Sequence, residues 1–297
     1  MADLQLRGNN IEVVVSTRFA AILRCDAIVD GAVWPLLRSA SVDAKRTATA
    51  ASAFPLAPFG NRIADNRFIF EGREFRLAPN TTDDPCRLHG DGWLADWEIA
   101  GVTERRVDLR LVISANAASP YAYEAHQVVV LDEAGMSLTL SVTNRSGERL
   151  PFGLGLHPYF PLTASTTLMA PAGDYWREGA GFLPVERRPP PADLDFSRAR
   201  PLPQRWLNNG FEDWRGVAEI RWPERALGMR IEADPLFNRY VLFQPDSRFD
   251  PAWRGDWFCF EPMSHSPAAH RMTDGGGLAP LAPGEMLEGS IRFTILR

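Results

Sequence analysis

The sequence predicts an all-β protein built as a large antiparallel sandwich. Short segments in which apolar residues alternate or cluster recur along the 297 residues, and hairpin turns join several of them. No stretch has the pattern of a helix longer than two turns, and no fixed-period repeat or low-complexity tract is present. Because a chain of this length can form one all-β domain and its strands keep the same character throughout, we predict a single domain over residues 1–297.

The composition is that of an ordinary soluble protein, with 45% hydrophobic and 23% charged residues. The formal net charge is -5 and no run of Lys or Arg stands out, which argues against nucleic acid as a partner. Three cysteines without a C-x-x-C spacing do not form a disulfide framework, so a reducing cytoplasm is the expected location. The N-terminus lacks the features of a signal peptide, and no apolar run approaches the ~20 residues that cross a bilayer, so we expect no membrane association.

Taken in chain order, the strand-like segments alternate with loops that are rich in Gly, Pro or small polar residues. The segment 54–63 holds two prolines and a glycine, which indicates a rigid connection that presents Asn61 and Arg62. Residues 39–53, 88–93 and 184–206 are predicted loops, and 151–160 is apolar and interrupted by glycines. The predicted strands are residues 11–15, 19–23, 97–102, 107–114, 123–131, 136–142, 217–222, 229–233, 240–244, 257–261 and 291–296, with a hairpin over 68–77.

The most informative stretch is Phe-Cys-Phe-Glu-Pro-Met-Ser at 258–264, which places the carboxyl group of Glu261 in a buried strand among phenylalanines. Burial disfavours the charged form, so this carboxylate is either neutralised by a partner or tuned as an acid or base. Pro262 has no N–H to donate, and we therefore expect the strand to stop pairing there and to point Glu261 into a cleft. A buried structural ion pair is the alternative reading.

Two histidines and one arginine have settings that suit a site. His157 lies in an apolar, glycine-rich frame and is either a satisfied core histidine or a general acid, since an imidazole titrates near neutrality. His89 lies in a loop between Leu88 and Gly90, where a functional role competes with simple exposure. Arg62, after Asn61, could bind paired hydroxyls or an anion, or form a structural ion pair.

The remaining candidates are weaker. His126 is expected to be a sheet-face residue, and His265 and His270 have neither a helix nor cysteine partners for a metal site, so we predict no metal. Trp93, close to His89, could stack on the apolar face of a sugar ring. The nucleophile-elbow, P-loop and dinucleotide-binding glycine motifs are absent.

Four motifs in this order and with this wide spacing resemble the aldose 1-epimerase (galactose mutarotase-like) family: Asn61-Arg62, His89-Gly90, His157-Pro158-Tyr159-Phe160 and Glu261-Pro262. The resemblance runs from about Arg18 to the C-terminus, and the tetrapeptide and the Glu261 strand are its most specific parts. It implies a β-supersandwich fold, which agrees with the strand pattern.

The resemblance also implies roles for these residues and a reaction. Glu261 would be the general base and His157 the general acid that open and reclose the ring of a free aldose and thereby exchange its α and β anomers. Arg62, His89 and Asn61 would bind the sugar. No cofactor is implied, the expected partner is a small monosaccharide, and the expected state is a monomer or homodimer.

One position departs from the family pattern. Where the family often has an aspartate that contacts the sugar, this chain has Asn208, unless the register shifts and Asp213 supplies the carboxylate. Three other functions stay open. A hexose-6-phosphate epimerase would use Arg62 and Arg87 for the phosphate, a non-catalytic sugar sensor would bind without turnover, and a glycoside hydrolase would need a second carboxylic acid near Glu261.

Overall fold

The computed structural model describes residues 2–297, with only the backbone described at Lys45. It is nearly all β, as the sequence predicts, and its helical segments are 3-10 turns of three or four residues. The turns are Val42–Lys45, Ala48–Ala50, Ala64–Asn66, Gly92–Leu94, Ala180–Phe182, Pro223–Arg225, Ala269–Arg271 and Gly275–Gly277.

The strands are β1 (Asp3–Arg7), β2 (Ile11–Ser16), β3 (Ile22–Val29), β4 (Ala32–Pro35), β5 (Ala53–Leu56), β6 (Arg62–Ile63), β7 (Arg67–Phe70), β8 (Arg73–Arg76), β9 (Arg87–Leu88), β10 (Glu98–Val102), β11 (Arg106–Ile113), β12 (Tyr123–Leu131), β13 (Gly135–Asn144), β14 (Leu150–Phe152), β15 (Gly155–Pro161), β16 (Thr167–Met169), β17 (Tyr175–Glu178), β18 (Pro184–Arg188), β19 (Arg200–Pro201), β20 (Leu207–Phe211), β21 (Val217–Trp222), β22 (Leu227–Ala233), β23 (Arg239–Gln244), β24 (Trp257–Met263), β25 (Ala279–Leu281) and β26 (Met286–Leu296).

Two large antiparallel sheets form the sandwich. The 11-stranded sheet has the order β1-β2-β3-β5-β15-β24-β23-β20-β17-β18, with β4 paired to β3. The nine-stranded sheet has the order β10-β11-β12-β13-β26-β22-β21-β16-β19. Three two-stranded ribbons, β14-β25, β6-β9 and β7-β8, complete the sheets of the described chain. The predicted hairpins 68–77 and 123–142 are confirmed as β7-β8 and β12-β13.

Several predicted boundaries are wrong for local reasons. The second predicted strand begins at Ile22 rather than at residue 19, because Phe19 and Ala20 have φ angles of 64° and 46° and form a turn. The predicted loop 184–206 contains β18 and β19, and the predicted connection 54–63 begins inside β5. Strand β20 has no strong alternation in its sequence, Leu-Asn-Asn-Gly-Phe, and was not among the predicted strands.

The 11-stranded sheet is buried on both of its faces where it carries the site. Phe258 and Phe260 belong to a large core that also holds Leu138 and Ile231 of the other sheet. The intervening residues of β24, including Cys259, belong to a smaller core on the opposite face. Because side chains alternate between the faces of a strand, one strand serves both cores. Within residues 2–297 no helix has the length and hydropathy needed to cross a membrane.

Candidate active site

A cavity of about 740 Å³ opens on the face of the 11-stranded sheet that carries the smaller core. Adjacent strands β5, β15, β24, β23 and β20 contribute its floor, and the segments 46–49 and 81–94 and the turns near Phe182 and Phe249 contribute its walls. Six residues that the sequence singled out all line this cavity: Asn61, Arg62, His89, His157, Asn208 and Glu261.

Alternation along β24 points Glu261 into the cavity, but not among the phenylalanines that the sequence suggested. Phe258 and Phe260 both pack into the large core between the sheets, whereas Glu261 lies on the cavity side with Cys259 two residues earlier. The side chain of Glu261 is nevertheless only 4% exposed. The apolar setting that the sequence indicated is therefore real, but neighbouring strands provide it.

The expectation that β24 stops pairing at Pro262 is wrong. Pro262 pairs with Tyr240 of β23, and the strand continues to Met263. Toward β15, however, the ladder is interrupted over the stretch that contains Pro158 and Pro262, two residues without an N–H. The interruption lies between the two strands that carry Glu261 and His157.

His157 faces Glu261 across the two central strands. The register pairs Tyr159 with Cys259, so His157, two residues before, stands opposite Glu261, two residues after. The distance from His157 Nε2 to Glu261 Oε1 is 3.4 Å. The imidazole ring packs against both Phe54 and Tyr159, with ring centroids 4.6 and 4.8 Å away, and these contacts restrict its orientation.

Burial shifts the pKa values of this pair in opposite directions. It raises the pKa of the Glu261 carboxyl to about 8, although the positive charge of Arg62 lowers it in part. It lowers the pKa of His157 to about 3, and the charge of Arg38 contributes in the same direction. His157 Nδ1 has no hydrogen-bond partner in the described chain. A neutral imidazole beside a neutral carboxyl is thus the resting state of the pair at neutral pH.

The loop that carries Asn61 is tied to the loop that carries His89. Both residues have a φ of 57°, and the Asn61 N–H donates to His89 Nδ1 at 2.9 Å while the His89 N–H donates to the Asn61 carbonyl at 2.9 Å. Burial and the positive charge of Arg62 hold the pKa of His89 well below its usual range. Because Nδ1 of this neutral ring accepts, Nε2 carries the hydrogen, and His89 can act as a donor to a ligand.

Arg62 lies near Glu261, and part of its guanidinium has no partner among the described side chains. Its Nε donates to Asp84 Oδ2 at 2.8 Å, and its guanidinium carbon lies 4.9 Å from the centre of the Phe182 ring. The structure shows no other side-chain hydrogen bond from Arg62 to residues 2–297, so both terminal nitrogens are available to oxygens in the cavity.

Of the two residues considered for the sugar-contacting position, Asn208 lines the cavity and Asp213 does not. Asn208 Nδ2 donates to Glu178 Oε1 at 2.6 Å. Asp213 lies outside the cavity, pairs with Arg187 and is 67% exposed in its side chain. Since an ionised carboxylate only accepts, Glu178 fixes the orientation of the amide, and Asn208 Oδ1 is left as an acceptor like an aspartate oxygen without its charge.

One group of potential metal ligands is present in the described residues, and it overlaps the pair. Atoms of His157, Cys259 and Glu261 lie within 4.8 Å of one another. Burial, and then the nearby Glu261, hold the pKa of the Cys259 thiol well above its usual range, so the thiolate that binds metals is disfavoured. We therefore do not assign these residues as metal ligands, and the absence of metal and cofactor stays a prediction of the sequence.

Two other expectations have clear outcomes. Arg87 does not line the cavity: it is buried, its guanidinium pairs with Asp91 and donates to the carbonyls of Ala78 and Ala118, and so it is not a phosphate ligand there. Trp93 does line the cavity, 5.5 Å from His89 and in edge-to-face contact with it.

The other histidines lie elsewhere. His126 is a sheet-face residue beside Asp108, as expected. His265 and His270 are buried; His265 Nε2 accepts from the Gly60 N–H and so supports the loop before Asn61.

Sequence reasoning missed four residues that shape the site: Arg38, Phe54, Tyr159 and Glu178. Tyr159 follows His157 by two residues, and that spacing on a strand could have indicated that the two share a face. For Arg38 and Glu178 no local pattern exists, since each reaches the site through strands that are distant in sequence.

Comparisons with known proteins agree with this fold. The profile described as Aldose 1-epimerase matches residues 4–294. The Escherichia coli K12 protein YphB, described as uncharacterized, is 42% identical over 262 residues, or 88% of this chain and 89% of YphB. A crystal structure of an Escherichia coli K12 protein described as a candidate aldose 1-epimerase has a TM-score of 0.93 at 38% identity and covers 99% of this chain and 98% of that one. A galactose mutarotase-like protein from Clostridium acetobutylicum has a TM-score of 0.83 at 16% identity, covering 98% and 94% of the two chains, and shares the fold.

Proposed function

This chain belongs to the aldose 1-epimerase family, and on that premise we propose that it interconverts the α and β anomers of a free aldose. The observation that carries the proposal is the buried pair of Glu261 and His157, 3.4 Å apart on the cavity floor. Each group by itself is compatible with a purely structural role. Two neighbouring groups whose pKa values burial shifts in opposite directions are, however, the usual components of acid–base catalysis.

In the proposed reaction Glu261 removes the proton from the anomeric hydroxyl while His157 Nε2 gives a proton to the ring oxygen. The bond between C1 and the ring oxygen breaks, and an open-chain aldehyde forms. Rotation about the C1–C2 bond presents the other face of the carbonyl to the same hydroxyl. Reclosure returns the proton from Glu261 to O1 and one from the hydroxyl to His157, so protons balance over the cycle.

The proton count of the pair fits this sequence. Between a pKa of about 3 for His157 and about 8 for Glu261, the two groups together hold one proton. Ring opening moves that proton from His157 to Glu261 through the sugar and leaves the total unchanged. The ring-closed sugar therefore reacts from the minor form of the pair, with Glu261 ionised and His157 protonated, and hydrogen bonds from bound hydroxyls to the carboxylate favour that form.

The other cavity residues supply a coherent set of contacts for sugar hydroxyls. We assign His89 Nε2–H and the terminal nitrogens of Arg62 as donors, and Asn208 Oδ1 as an acceptor. Asn61 holds His89 in its tautomer and lines the same pocket. Arg87, which the sequence suggested as a phosphate ligand, does not line the cavity, and we therefore propose a free aldose rather than a sugar phosphate. The cytoplasmic location stays a prediction of the sequence.

Polarimetry on freshly dissolved α-D-glucose and α-D-galactose tests the proposal. We expect the parent protein to speed the approach to anomeric equilibrium and Glu261→Gln to lose on the order of 10²–10⁴-fold in that rate. Glu124→Gln is the matched control, because Glu124 also lies beside a histidine but outside the cavity, and it should keep the parent rate. If Glu261→Gln retained the parent rate, the assignment of the base would be wrong. If the parent accelerated no aldose, the sensor function would replace this one.

A further inference from the structure

Only two of the 17 phenylalanines are exposed in residues 2–297, and both lie at the mouth of the cavity. Phe182 is 39% exposed and Phe249 is 51% exposed. Exposed aromatic rings that cluster at one place on a soluble protein commonly mark a binding surface. Neither ring has a part in the acid–base chemistry on the floor, so the proposed reaction does not account for them.

These two rings form one cluster with two deeper aromatic side chains. We call the cluster of Phe182, Trp206, Phe243 and Phe249 the aromatic rim. Trp206 contacts all three others, with ring centroids 5.7 Å from Phe182, 5.5 Å from Phe243 and 5.2 Å from Phe249. All four residues line the cavity. The rim is therefore part of the cavity wall and not a separate patch.

Polar contacts behind the rings hold the rim in place. Trp206 Nε1 donates to Glu178 Oε2 at 2.6 Å, so the carboxylate that orients Asn208 also orients the indole. The guanidinium of Arg62 packs on the Phe182 ring. The rim is thus coupled to two of the residues that we assign to sugar binding, Asn208 and Arg62.

The sheet register makes a continuous surface from the floor to the rim. Phe243 of β23 is paired with Asn208 of β20, and Trp206 lies two residues before Asn208, which places it one step farther from Glu261 along the same side. A ligand whose reacting end lies at Glu261 and extends past Asn208 would meet the rim next.

The size of the cavity leaves room for such an extension. Its volume of about 740 Å³ lies in the upper part of the range of ~300–1,000 Å³ that is typical for drug-sized ligands. A single hexose is smaller than such a ligand. Asp250, which follows Phe249, also lines the cavity and offers a carboxylate at the edge of the rim.

From these observations we propose that the aromatic rim is a second subsite, which binds the non-reacting ring of a reducing disaccharide while its reducing ring lies at Glu261 and His157. An aromatic face beside a carboxylate matches a pyranose ring, which has an apolar C–H face and hydroxyls at its edge. The proposal rests on the proposed anomer exchange for its reacting end.

A protein partner fits the rim less well than a sugar. The two exposed phenylalanines leave on the order of 200 Å² of ring surface open, whereas each side of a stable protein interface contributes about 800 Å². The four rings also line the same cavity as Asn208, so a partner would have to enter the cavity to contact all of them.

The test compares a reducing disaccharide with its monosaccharide in two independent measurements. Anomer exchange of maltose, cellobiose and lactose is measured by proton NMR beside that of glucose and galactose, and the ratio of the kcat/KM values is taken. Binding of the same sugars to Glu261→Gln protein is measured by calorimetry. We expect Phe249→Ala to lower the disaccharide-to-monosaccharide ratio of kcat/KM about 3- to 10-fold, which is the effect expected when one aromatic ring contact is lost. Phe249→Tyr, which keeps the ring, should preserve the ratio.

Val112→Ala is the matched control, because Val112 is 52% exposed on β11 of the other sheet and should leave the ratio unchanged. An unchanged ratio in Phe249→Ala, or equal affinity for disaccharide and monosaccharide, would overturn the second subsite. A change of oligomeric state in Phe249→Ala would also overturn it and assign the rim to a second copy of the chain. Disaccharide binding that depends on Phe249, without anomer exchange by the parent, would keep the subsite and refute the proposed reaction.

Discussion

Glu261 and His157 on the 11-stranded sheet lie 3.4 Å apart, and Glu124 and His126 on the nine-stranded sheet lie 3.3 Å apart. The two pairs are alike in chemistry and distance but not in surroundings. Glu124 also accepts from Arg110 Nε at 2.7 Å and from Arg145 Nη2 at 3.0 Å, on the outer face of its sheet. Hydrogen bonds from these two arginines lower the pKa of Glu124 to about 2, whereas burial raises that of Glu261 to about 8.

The difference shows that a short distance between a glutamate and a histidine is not sufficient for acid–base chemistry, because the surroundings of the carboxylate set its pKa. On the nine-stranded sheet hydrogen bonds from two arginines hold the carboxylate of Glu124 ionised, so it has little tendency to take a proton near neutral pH. Among the side chains that the structure describes, no Arg or Lys pairs with Glu261 in the cavity, and the carboxyl can hold or release its proton in the working range. The predictions below change one pair and leave the other as the control.

The largest effect is expected for the histidines. His157→Gln removes the group that protonates the ring oxygen, so the rate of anomer exchange should fall on the order of 10²–10⁴-fold. His126→Gln, made beside Glu124, should leave the rate unchanged, since His126 is outside the cavity. Polarimetry measures both, with circular dichroism to check the fold. Similar losses in the two variants would mean that His157 acts only through stability.

The next effect is on the pH dependence of kcat/KM. With the pair holding one proton between a pKa of about 3 and about 8, activity should be level across that interval and fall about tenfold per pH unit above it, where the pair loses its proton. Ordinary values of 4.5 for Glu and 6.5 for His would instead confine activity to a narrow bell between them. Anomer exchange from pH 5 to 10, corrected for the spontaneous reaction, separates the two shapes, and a maximum near pH 5.5 would contradict the burial argument.

The sequence predicted the burial of Glu261 better than the identity of its neighbours. A carboxylate in an apolar strand is visible locally, and so is a histidine in a glycine-rich frame, because burial shows in the neighbouring residues. The sequence suggested Phe258 and Phe260 as the neighbours of Glu261, but alternation sends them to the opposite face. The real neighbours, His157 and Phe54, lie on strands far away along the chain.

The fold class was predictable for the same reason, since hairpins such as β12-β13 are local. Strand β20 was not, because its Asn-Asn-Gly centre takes its extended form from pairing with β23. Glu178 was equally invisible: nothing in β17 indicates that its carboxylate meets Asn208 and Trp206, which come about thirty residues later. Contacts of that kind depend on sheet order, which one sequence does not specify.

A smaller effect is expected for Glu178, a third carboxylate that acts through other residues. In Glu178→Gln one of the two accepting oxygens becomes an NH₂ group that donates, so either Trp206 Nε1 or Asn208 Nδ2 loses its acceptor, and the orientation of Asn208 is no longer fixed. We expect KM to rise up to about tenfold, by the loss of one oriented hydrogen bond, with little change in kcat and with an altered preference between glucose and galactose.

Glu186→Gln on the neighbouring strand β18 is the control for Glu178, since Glu186 is exposed and bonded to Arg177. Steady-state kinetics on both sugars provide the measurement. A fall in kcat without a change in KM or sugar preference would show that Glu178 does not position Asn208.

The smallest effect is on stability, and it should have opposite signs in the two pairs. The pKa of Glu261 is raised on folding from 4.5 to about 8, so this residue lowers the free energy of unfolding progressively as pH rises through that window. The pKa of Glu124 is lowered to about 2, so its contribution is present above pH 4.5 and is lost as pH falls toward 2. At pH 8 we therefore expect Glu261→Gln to raise the melting temperature by a few °C and Glu124→Gln to lower it by less than about 3 °C, since exposed pairs contribute little. Calorimetry at pH 5 and pH 8 measures this, and the gain in melting temperature of Glu261→Gln should be smaller at pH 5.

A Glu261→Gln protein less stable than the parent at pH 8 would mean that Glu261 is ionised and stabilised in the folded protein. The single proton that the proposed reaction assigns to Glu261 and His157 at that pH would then be wrong.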